Sequence, residues 1–559
     1  MAEPFRILWA DDEIDLLRPH ILYLEERGYD LTPVHSGEDA LQLAASESFD
    51  LILLDERMPG LDGLEVLERL QAVRPDLPVV MVTKQEDEGL MEEALGRSIT
   101  DFLTKPVNPS QVLSVCKRIL EGRRIRGQAA ARDYTGEFAR LSDRLGAGEL
   151  SPGAWGEMAE ALAWWAVRLD ETGREGLEES LASLAAEADG VLGRRLAADY
   201  PAWAADDRPW RERLLAHITE AADAGGDLPV MDSRPLFVHD LAGRVIVPTL
   251  AEHGRALLLV LDCLRYDQWL ALEPMLAAGV RTERVPVFSQ LPTASPFGRN
   301  GLFSGRWPDE AAADFGDLWE GGWDEGERGL NRHEPEMLRQ VLRAAPASGG
   351  VPEGLEVAGF ERVRAPGEIE EAARRLGGEL PAGLSVLVVG FLDLLAHGQA
   401  ESEILQELAP DAAAFRALAR QWLGRSPLPD LVRGVLSRGV PVLIATDHGS
   451  TQVRRGIEVK ADETASRGLR WKAGRNLVAD ERWTVRIDDP GAWRLPRLGV
   501  TGTWLLARED AFLLFRHDAA PLKRKFEASF QHGGISLAEL VVPFVRLLPP
   551  RGPEIPERQ

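Results

Sequence analysis

The sequence has little cysteine and no long apolar run. Only Cys116 and Cys263 occur in 559 residues, which argues against a disulfide framework and favours a reducing compartment. No apolar stretch reaches the roughly 18 residues that a membrane-spanning helix requires. The acidic start, MAEPFRILWADDE, is unlike a secretory signal. We therefore expect a cytoplasmic protein without a membrane span.

Positive charge is also scarce. The chain has 64 Lys and Arg against 90 Asp and Glu, a net charge of −26. Such a field repels a phosphate backbone and argues against generic nucleic-acid binding, and no DNA-binding module is visible. A phosphate-ester substrate would need metal ions and a local basic patch.

A chain of 559 residues is too long for a single hydrophobic core. We predict three domains, at 1–121, 122–225 and 226–559.

Residues 1–121 alternate short apolar strands with helices. The predicted strands are Arg6–Asp12, Leu51–Asp55, Val79–Lys84 and Asp101–Pro106. This order predicts a parallel sheet with helices on both faces, and functional side chains at the carboxyl ends of its strands. Those ends carry Asp11, Asp12, Asp55, Thr83 and Lys105.

The clustered carboxylates at these strand ends require a cation. Oxygen ligands of this kind suit Mg²⁺. With Mg²⁺ and Lys105 neutralising developing charge, Asp55 can accept a phosphoryl group. The alternative, that the acids merely cap strands, explains neither Thr83 nor Lys105.

The order DD, LLDERMPGLDG, VTK, FLTKP resembles a response-regulator receiver domain along the whole segment. The resemblance implies a flavodoxin-like fold, a sensor histidine kinase as partner and a cis Lys105–Pro106 bond. It also implies phosphorylation of Asp55. The other roles that it implies are magnesium binding by Asp11, Asp12 and Asp55, and switching by Thr83, Phe102 and Lys105.

Residues 122–225 show apolar positions at helical spacing and no strand signal. Gly, Pro and short polar breaks separate the helical stretches, so we predict a helical-bundle connector. We interpret Trp164 and Trp165 as core residues rather than a binding site. His217 is likewise interpreted as structural.

Three strand-like runs after residue 225 each lead to an aspartate: Ala256–Asp262, Leu384–Asp393 and Val440–His448. They alternate with helices, which predicts a second parallel or mixed sheet with the carboxylates along one edge. His397, His448 and His532 add three imidazoles. Three carboxylates and three imidazoles are enough ligands for two zinc ions, and a metal pair suits in-line attack on phosphorus.

The stretch Gln290–Gly305 supplies a candidate nucleophile. Its hydroxyls are Thr293 and Ser295, and a hydroxyl held against a metal becomes a good nucleophile. Arg299 or Asn300 can steady phosphate oxygens.

Taken in order, these pieces resemble the alkaline phosphatase superfamily, and more closely its PglZ branch, over about Ala256–Pro543. In relatives the nucleophile lies ten residues before a glycine that corresponds to Gly305, which implies Ser295, with Thr293 as the alternative. The resemblance implies one ion held by Asp393, His397 and His532, and the other by Asp262, Asp447 and His448. Sulfatases of this superfamily do not have proline directly after the nucleophile, so Pro296 disfavours a sulfatase. We interpret Cys263 as a small apolar strand residue rather than a metal ligand.

Two further segments have two interpretations each. Val459–Leu477 is either a solvated loop or a basic lip for a phosphodiester, and similarity of RWKAGRN to PglZ-type sequences favours the lip. Its cations are Lys460, Arg470, Lys472 and Arg475. Residues 306–345, rich in acid, Gly and Trp, are either a lid or an insertion.

Receiver, helical connector and PglZ effector together resemble the PorX-type two-component response regulators. That resemblance implies dimerisation on phosphorylation, control of type IX secretion and a zinc-dependent phosphodiesterase acting on oligonucleotides or cyclic nucleotides. The alternative is a binding module without catalysis, in which zinc is structural and a sigma factor or secretion component receives the output.

Overall fold

Two units make up the chain in the computed structural model: Met1–Gly136 with Arg168–Glu175, and Glu137–Val167 with Gly176–Gln559. The structure describes residues 4–74, 77–84, 99–148, 150–170, 176–224, 227–229, 234–316, 331–345, 355–462, 465–499, 501–516 and 519–549. Of the predicted lid or insertion, residues 317–330 lie outside the described residues.

The first unit is built on a parallel five-stranded sheet, in the order β2-β1-β3-β4-β5. The strands are β1 Phe5–Ala10, β2 Tyr29–Val34, β3 Leu51–Asp55, β4 Val79–Thr83 and β5 Asp101–Thr104. The helices are α1 Arg18–Glu25, α2 Gly37–Ser46, α3 Gly63–Val73 and the start of α4 Pro109–Gly146.

The central strand β3, with sequence LILLD, is buried along its whole length, because helices cover both faces of a parallel sheet. Separate hydrophobic clusters lie on the two faces. Asp62 begins α3 with a reciprocal capping box to Glu65. The parallel sheet predicted from the alternation is confirmed, as is the flavodoxin-like fold that the resemblance implied.

Long helices occupy the predicted connector: α4, α5 Pro152–Asp170, α6 Leu177–Ala204 and α7 Trp210–Asp223. Trp165 is buried, as predicted, but Trp164 is 47% exposed. The prediction that both are core residues was wrong for Trp164, because consecutive residues of a helix point to different faces. His217 is buried, in keeping with a structural role.

A six-stranded mixed sheet organises the second unit, in the order β7-β18-β10-β6-β9-β8. Its members are β6 Arg255–Leu261, β7 Arg281–Phe288, β8 Val357–Val363, β9 Gly383–Val389, β10 Val442–Ala445 and β18 Val541–Leu548. The strands β8, β9, β6 and β10 are parallel, whereas β18 runs antiparallel to β10 and β7. The parallel strands therefore end at one edge, as the sequence pattern predicts.

Smaller elements complete this unit. The other strands are β11 Thr451–Gln452, β12 Arg455–Val459, β13 Trp471–Gly474, β14 Thr484–Ile487, β15 Thr503–Ala507, β16 Ala511–Phe515 and β17 Phe530–Gln531. The helices are α8 Val247–His253, α9 Tyr266–Leu276, α10 Ser295–Ser304, α11 Pro308–Asp314, α12 Glu334–Ala344, α13 Pro366–Leu376, α14 Phe391–Gln399, α15 Glu403–Leu408, α16 Ala412–Arg425, α17 Leu428–Ser437, α18 Ala519–Phe526 and α19 Leu537–Leu540. Among the described helices, none combines the length and apolar character that crossing a membrane requires.

A hydrophobic cluster packs one face of this sheet against α9, α13, α16 and α17. One predicted boundary was wrong. The strand expected to run to Asp393 ends at Val389, because glycine is a poor strand former and Gly390 is instead the N-cap of α14. Asp393 thus lies in the first turn of that helix.

Candidate active site

Among the described residues, the six predicted ligands of the second unit converge in two groups. The outer group is Asp393, His397 and His532, and the inner group is Asp262, Asp447 and His448. In each group, one donor atom from every member lies within 4.8 Å of the others. The residues follow the carboxyl ends of β6, β9 and β10, except His532, which follows β17.

The outer group has the spacing of a metal site. Nε2 of His397 and of His532 lie 3.3 and 3.5 Å from Oδ1 of Asp393, and 3.0 Å from each other. Asp393 and His397 share a face of α14 because they are four residues apart. A tetrahedral ion with bonds of about 2.0–2.2 Å separates its donors by about 3.3–3.6 Å. The group therefore fits one divalent ion.

The inner group is wholly buried. Asp447 Oδ1 accepts hydrogen bonds from the backbone N–H of Cys263 at 3.3 Å and of His448 at 3.0 Å. These bonds direct the other oxygen, Oδ2, to within 3.3 Å of His448 Nε2. Nδ1 of His448 lies 2.9 Å from the carbonyl of Gly449, which fixes the ring so that Nε2 faces the carboxylate.

Two buried carboxylate oxygens, Asp393 Oδ1 and Asp447 Oδ2, have no hydrogen-bond partner in the part of the chain that the structure describes. A buried carboxylate oxygen is costly unless it is paired or binds a metal. Each of these oxygens lies beside an imidazole nitrogen, so the donor sets fit divalent metal ions.

The electrostatics of the groups agree with cation binding. Burial and the neighbouring Asp262 carboxylate raise the pKa of Asp447 well above its usual value. Burial and the charge of His532 hold the pKa of His448 well below its usual value, which keeps the imidazole neutral and able to bind a metal. Although burial opposes it, the neighbouring imidazoles of His397 and His532 hold the pKa of Asp393 well below its usual value.

The structure separates the two candidate nucleophiles. Ser295, the first residue of α10, is buried, and its Oγ lies 3.1 Å from His448 Nε2 and 3.4 Å from Asp262 Oδ1. Thr293 Oγ1 instead lies 2.9 Å from the carbonyl oxygen of Gly534 and 3.0 Å from Glu539 Oε2. Of the two hydroxyls, Ser295 is therefore the one that contacts the inner group.

Arg299 reaches the inner group from the next turn of α10. Its Nη1 donates to Asp262 Oδ2 at 2.6 Å, and its Nε donates to Glu334 Oε1 at 2.8 Å. Asn300 uses its Nδ2 within the helix, donating to the carbonyl of Pro296 at 2.7 Å. Sequence reasoning missed Glu334, and no motif in the sequence signals it.

The prediction of a basic lip was wrong for two of its four cations, because their side chains are buried. Lys460 and Arg475 are exposed, but Arg470 and Lys472 are buried. Arg470 pairs with Glu539, and Lys472 Nζ lies 4.3 Å from the centre of the Phe515 ring. Strand β13 pairs with β15. This pairing places Arg470 and Lys472 in the interior, where the sequence had predicted a surface loop.

Cys263, next to Asp262, is buried with a φ of 65°. Burial, together with the Asp393 and Asp262 carboxylates, raises the pKa of its thiol well above the usual value. Cys263 packs in a hydrophobic cluster with Leu395 and Ala396, which favours its interpretation as a packing residue rather than a ligand.

In the first unit, the predicted magnesium carboxylates Asp11, Asp12 and Asp55 form a third group of oxygens within 4.8 Å. Lys105 Nζ lies 2.8 Å from Asp11 Oδ2 and 3.0 Å from Asp55 Oδ2. Burial, partly offset by Lys105, raises the pKa of Asp55. Asp12 is exposed, so the group opens to solvent on one side.

Two of the residues expected to switch, Thr83 and Phe102, lie on β4 and β5 of the same sheet. The Thr83 hydroxyl donates to the carboxylate of Glu56, and Phe102 is half-buried. The Lys105–Pro106 peptide bond is cis, as the resemblance implied.

Two known protein families match separate parts of the chain. Residues 7–117 match the response regulator receiver domain. Residues 241–547, more than half of the chain, match the BREX system PglZ alkaline phosphatase-like domain. The chain belongs to the PglZ family. It joins a receiver domain to a PglZ domain.

Curated relatives match at the receiver. The alkaline phosphatase synthesis transcriptional regulatory protein PhoP of Bacillus subtilis is 37% identical over 117 residues, which is 21% of this chain and 48% of PhoP. The transcriptional regulatory protein ResD of the same organism is 31% identical over 115 residues, 21% of this chain and 48% of ResD. The PglZ chain thus spans about half the length of these relatives.

Solved receiver structures match the same part. A CheY-like receiver domain protein from Methanospirillum hungatei is 29% identical, with a TM-score of 0.21. The match covers 21% of the PglZ chain and 95% of the Methanospirillum chain. The response regulator TrrA from Thermotoga maritima is 28% identical, with a TM-score of 0.20. That match covers 21% of the PglZ chain and 99% of the TrrA chain.

The close approach of Gly449 to α19 gives a first prediction. A Cβ atom at Gly449 would lie 2.1 Å from the carbonyl oxygen of Ala538. We expect Gly449→Ala to lower the free energy of unfolding of the second unit by about 1–3 kcal/mol through overpacking, measured by urea denaturation. The matched control is Gly424→Ala in α16, where the nearest atom would lie at 3.8 Å and alanine favours the helix. Equal effects of the two substitutions would contradict the prediction.

Proposed function

We propose that the PglZ domain is a two-zinc phosphodiesterase with Ser295 as its nucleophile, and that phosphorylation of Asp55 controls it. The observation that carries the proposal is the position of Ser295 Oγ, 3.1 Å from His448 Nε2 and 3.4 Å from Asp262 Oδ1. A hydroxyl at the edge of a buried group of imidazole and carboxylate donors is the arrangement that metal-assisted attack requires.

The donors favour zinc in both groups. Each group offers imidazole nitrogen and carboxylate oxygen, whereas magnesium prefers oxygen alone. Bound zinc would stabilise the charge that develops on the attacking and leaving oxygens of an in-line displacement. The all-oxygen group at Asp11, Asp12 and Asp55 suits magnesium instead.

The chain's own residues supply the remaining chemistry. Ser295 forms a bond from Oγ to phosphorus, the bond from phosphorus to the leaving oxygen breaks, and the serine proton ends on the leaving alcohol. Water then hydrolyses the phosphoserine ester, which regenerates the hydroxyl and releases a phosphate monoester. Arg299, on the same helix as Ser295, donates from its guanidinium to Asp262, and its proposed role in catalysis is to bind phosphate oxygens beside that carboxylate.

Charge favours a diester as substrate. A net charge of −26 repels a dianionic monoester more strongly than a monoanionic diester. Nucleotide-like diesters, such as oligonucleotides or cyclic nucleotides, remain the proposed substrate class. Lys460 and Arg475, the exposed cations of Val459–Leu477, remain proposed substrate contacts, whereas burial excludes Arg470 and Lys472 from that role.

The receiver domain implies a sensor histidine kinase as partner. In the proposed switch, a phosphoryl group on Asp55 contacts Lys105 and Thr83, Phe102 repacks, and the equilibrium shifts from monomer to homodimer. A cytoplasmic location and a role in type IX secretion stay predictions from the resemblance to PorX-type regulators.

A second candidate function is a binding module in which zinc is structural and a sigma factor or secretion component receives the signal. The complete burial of the inner group favours it, because structural zinc sites are closed whereas catalytic sites keep an open position. The two candidates differ at Ser295. A binding module would keep its secretion phenotype after Ser295→Ala and lose it after Asp55→Ala.

Zinc content tests the metal assignment. We expect the wild-type chain to hold about two zinc ions after dialysis, and Asp393→Asn and Asp447→Asn to hold about one each, because each removes a ligand from a different group. Elemental analysis measures the content. Asp430→Asn, on the exposed surface of α17, is the matched control and should leave the content unchanged. Full zinc content in both ligand variants would contradict the assignment.

Turnover tests the nucleophile. With bis-p-nitrophenyl phosphate, Ser295→Ala should lower kcat at least about a thousandfold, since loss of a nucleophile removes the covalent route, while zinc content stays at the wild-type value. Ser304→Ala changes a buried serine at the far end of the same helix and should keep kcat within a few-fold of wild type. Turnover by Ser295→Ala equal to that of wild type would exclude Ser295 as nucleophile.

Phosphorylation tests the receiver. In acetyl phosphate and Mg²⁺, the wild-type chain should gain one phosphoryl group, detected by mass spectrometry, and should sediment increasingly as a dimer. Asp55→Asn should do neither, because the amide cannot accept the phosphoryl group. Asp62→Asn is the control, since asparagine serves equally well as the N-cap of α3. Labelling of Asp55→Asn at the wild-type level would overturn the assignment.

A further inference from the structure

Glu539 contacts each of the three loops that carry Ser295, His448 and His532. Its Oε2 lies 3.0 Å from Thr293 Oγ1 and accepts from the backbone N–H of Gly534 at 3.0 Å. Its backbone carbonyl accepts from the N–H of Gly449 at 3.0 Å. Thr293 is two residues before Ser295, Gly449 directly follows His448, and Gly534 is two residues after His532. One buried residue thus joins the nucleophile to a ligand of each group.

Arg470 fixes the Glu539 carboxylate. The guanidinium approaches both carboxylate oxygens, with Nη2 at Oε1 and Nε 3.3 Å from Oε2. Both side chains are fully buried. A paired, bidentate geometry holds a carboxylate in one orientation, so the oxygen that faces Thr293 and Gly534 has a defined direction.

Thr293 closes the connection between the loops. Its Oγ1 accepts from the backbone N–H of Gly533 at 3.0 Å and can donate to either Glu539 Oε2 or the carbonyl of Gly534. The loop of the nucleophile and the loop of His532 therefore share hydrogen bonds through one hydroxyl. An apolar side chain of the same volume would fill the space without fixing the distance between the loops.

The geometry points to Glu539 as a positioning residue of the active site. It acts through Thr293 and Gly534 to set the distance between Ser295 and the His532 ligand, and Arg470 holds it in place. This inference rests on the proposed function, because positioning has meaning only if the two groups bind metal beside Ser295.

Thr293→Val tests this inference. It removes the shared hydroxyl at nearly constant volume and leaves the buried pair of Glu539 and Arg470 intact. We expect the zinc affinity of the outer group, measured by chelator competition, to fall about 10–100-fold, as for other residues that support metal ligands. We expect kcat to fall with it while KM changes less. Thr293→Ser keeps the hydroxyl and should restore both quantities.

Thr249→Val is the matched control. Thr249 is buried in α8, and its hydroxyl has no hydrogen-bond partner among the described residues, so zinc affinity and kcat should not change. Glu539→Gln is a second variant, which should weaken zinc binding at least as much. A melting temperature of the zinc-free protein, recorded for every variant, separates lost positioning from lost folding.

The outcomes are distinguishable. A wild-type chain that binds no zinc contradicts the proposed function and this inference together. Wild-type zinc affinity in Thr293→Val, with normal kcat, contradicts only the positioning role. Unchanged zinc affinity with complete loss of turnover in Thr293→Val, and recovery of turnover in Thr293→Ser, would make Thr293 the nucleophile and would also overturn the positioning role of Glu539.

Discussion

Repulsion between buried carboxylates is the constraint on which the rest of the effector depends. Asp262 and Asp447 face each other inside the protein, and the charge of Asp262 together with burial raises the pKa of Asp447 well above its usual value. Arg299 supplies one positive charge at Asp262, but Asp447 Oδ2 keeps no hydrogen-bond partner among the described residues. A divalent ion resolves this imbalance, and the neutral imidazole of His448 is placed to share in binding it.

The sheet explains why these charges meet. The parallel strands β6, β9 and β10 end at one edge, and the chain that follows each of them contributes ligands. Ser295 and Arg299 come from α10, which follows β7 in the chain. Ser295 and Arg299 lie four residues apart on this helix, so both side chains reach Asp262 from the same face of α10.

The sequence predicted the positions that follow from periodicity and strand direction. Buried apolar runs that lead into Asp55 and Asp262 were sufficient to place both carboxylates at sheet edges. Side-chain burial within an irregular segment was not predictable. Arg470 was expected on the surface because it lies among other cations, and its buried partner Glu539 is distant in sequence. Glu334, the partner of Arg299, was missed for the same reason, since a long-range ion pair leaves no local pattern.

The donor group of the receiver and the two donor groups of the second unit differ in donor type and in exposure. Lys105 bridges Asp11 and Asp55 beside an exposed Asp12, so an all-oxygen site opens to solvent and suits a metal that exchanges readily. In the effector, imidazole nitrogens replace part of the oxygen donors, and the inner group is buried, which suits a resident metal. A switch must bind and release its phosphoryl group repeatedly, whereas a hydrolase must keep its metals through every turnover. The difference in donor type and exposure between the receiver group and the inner group agrees with the proposed roles of switch and hydrolase.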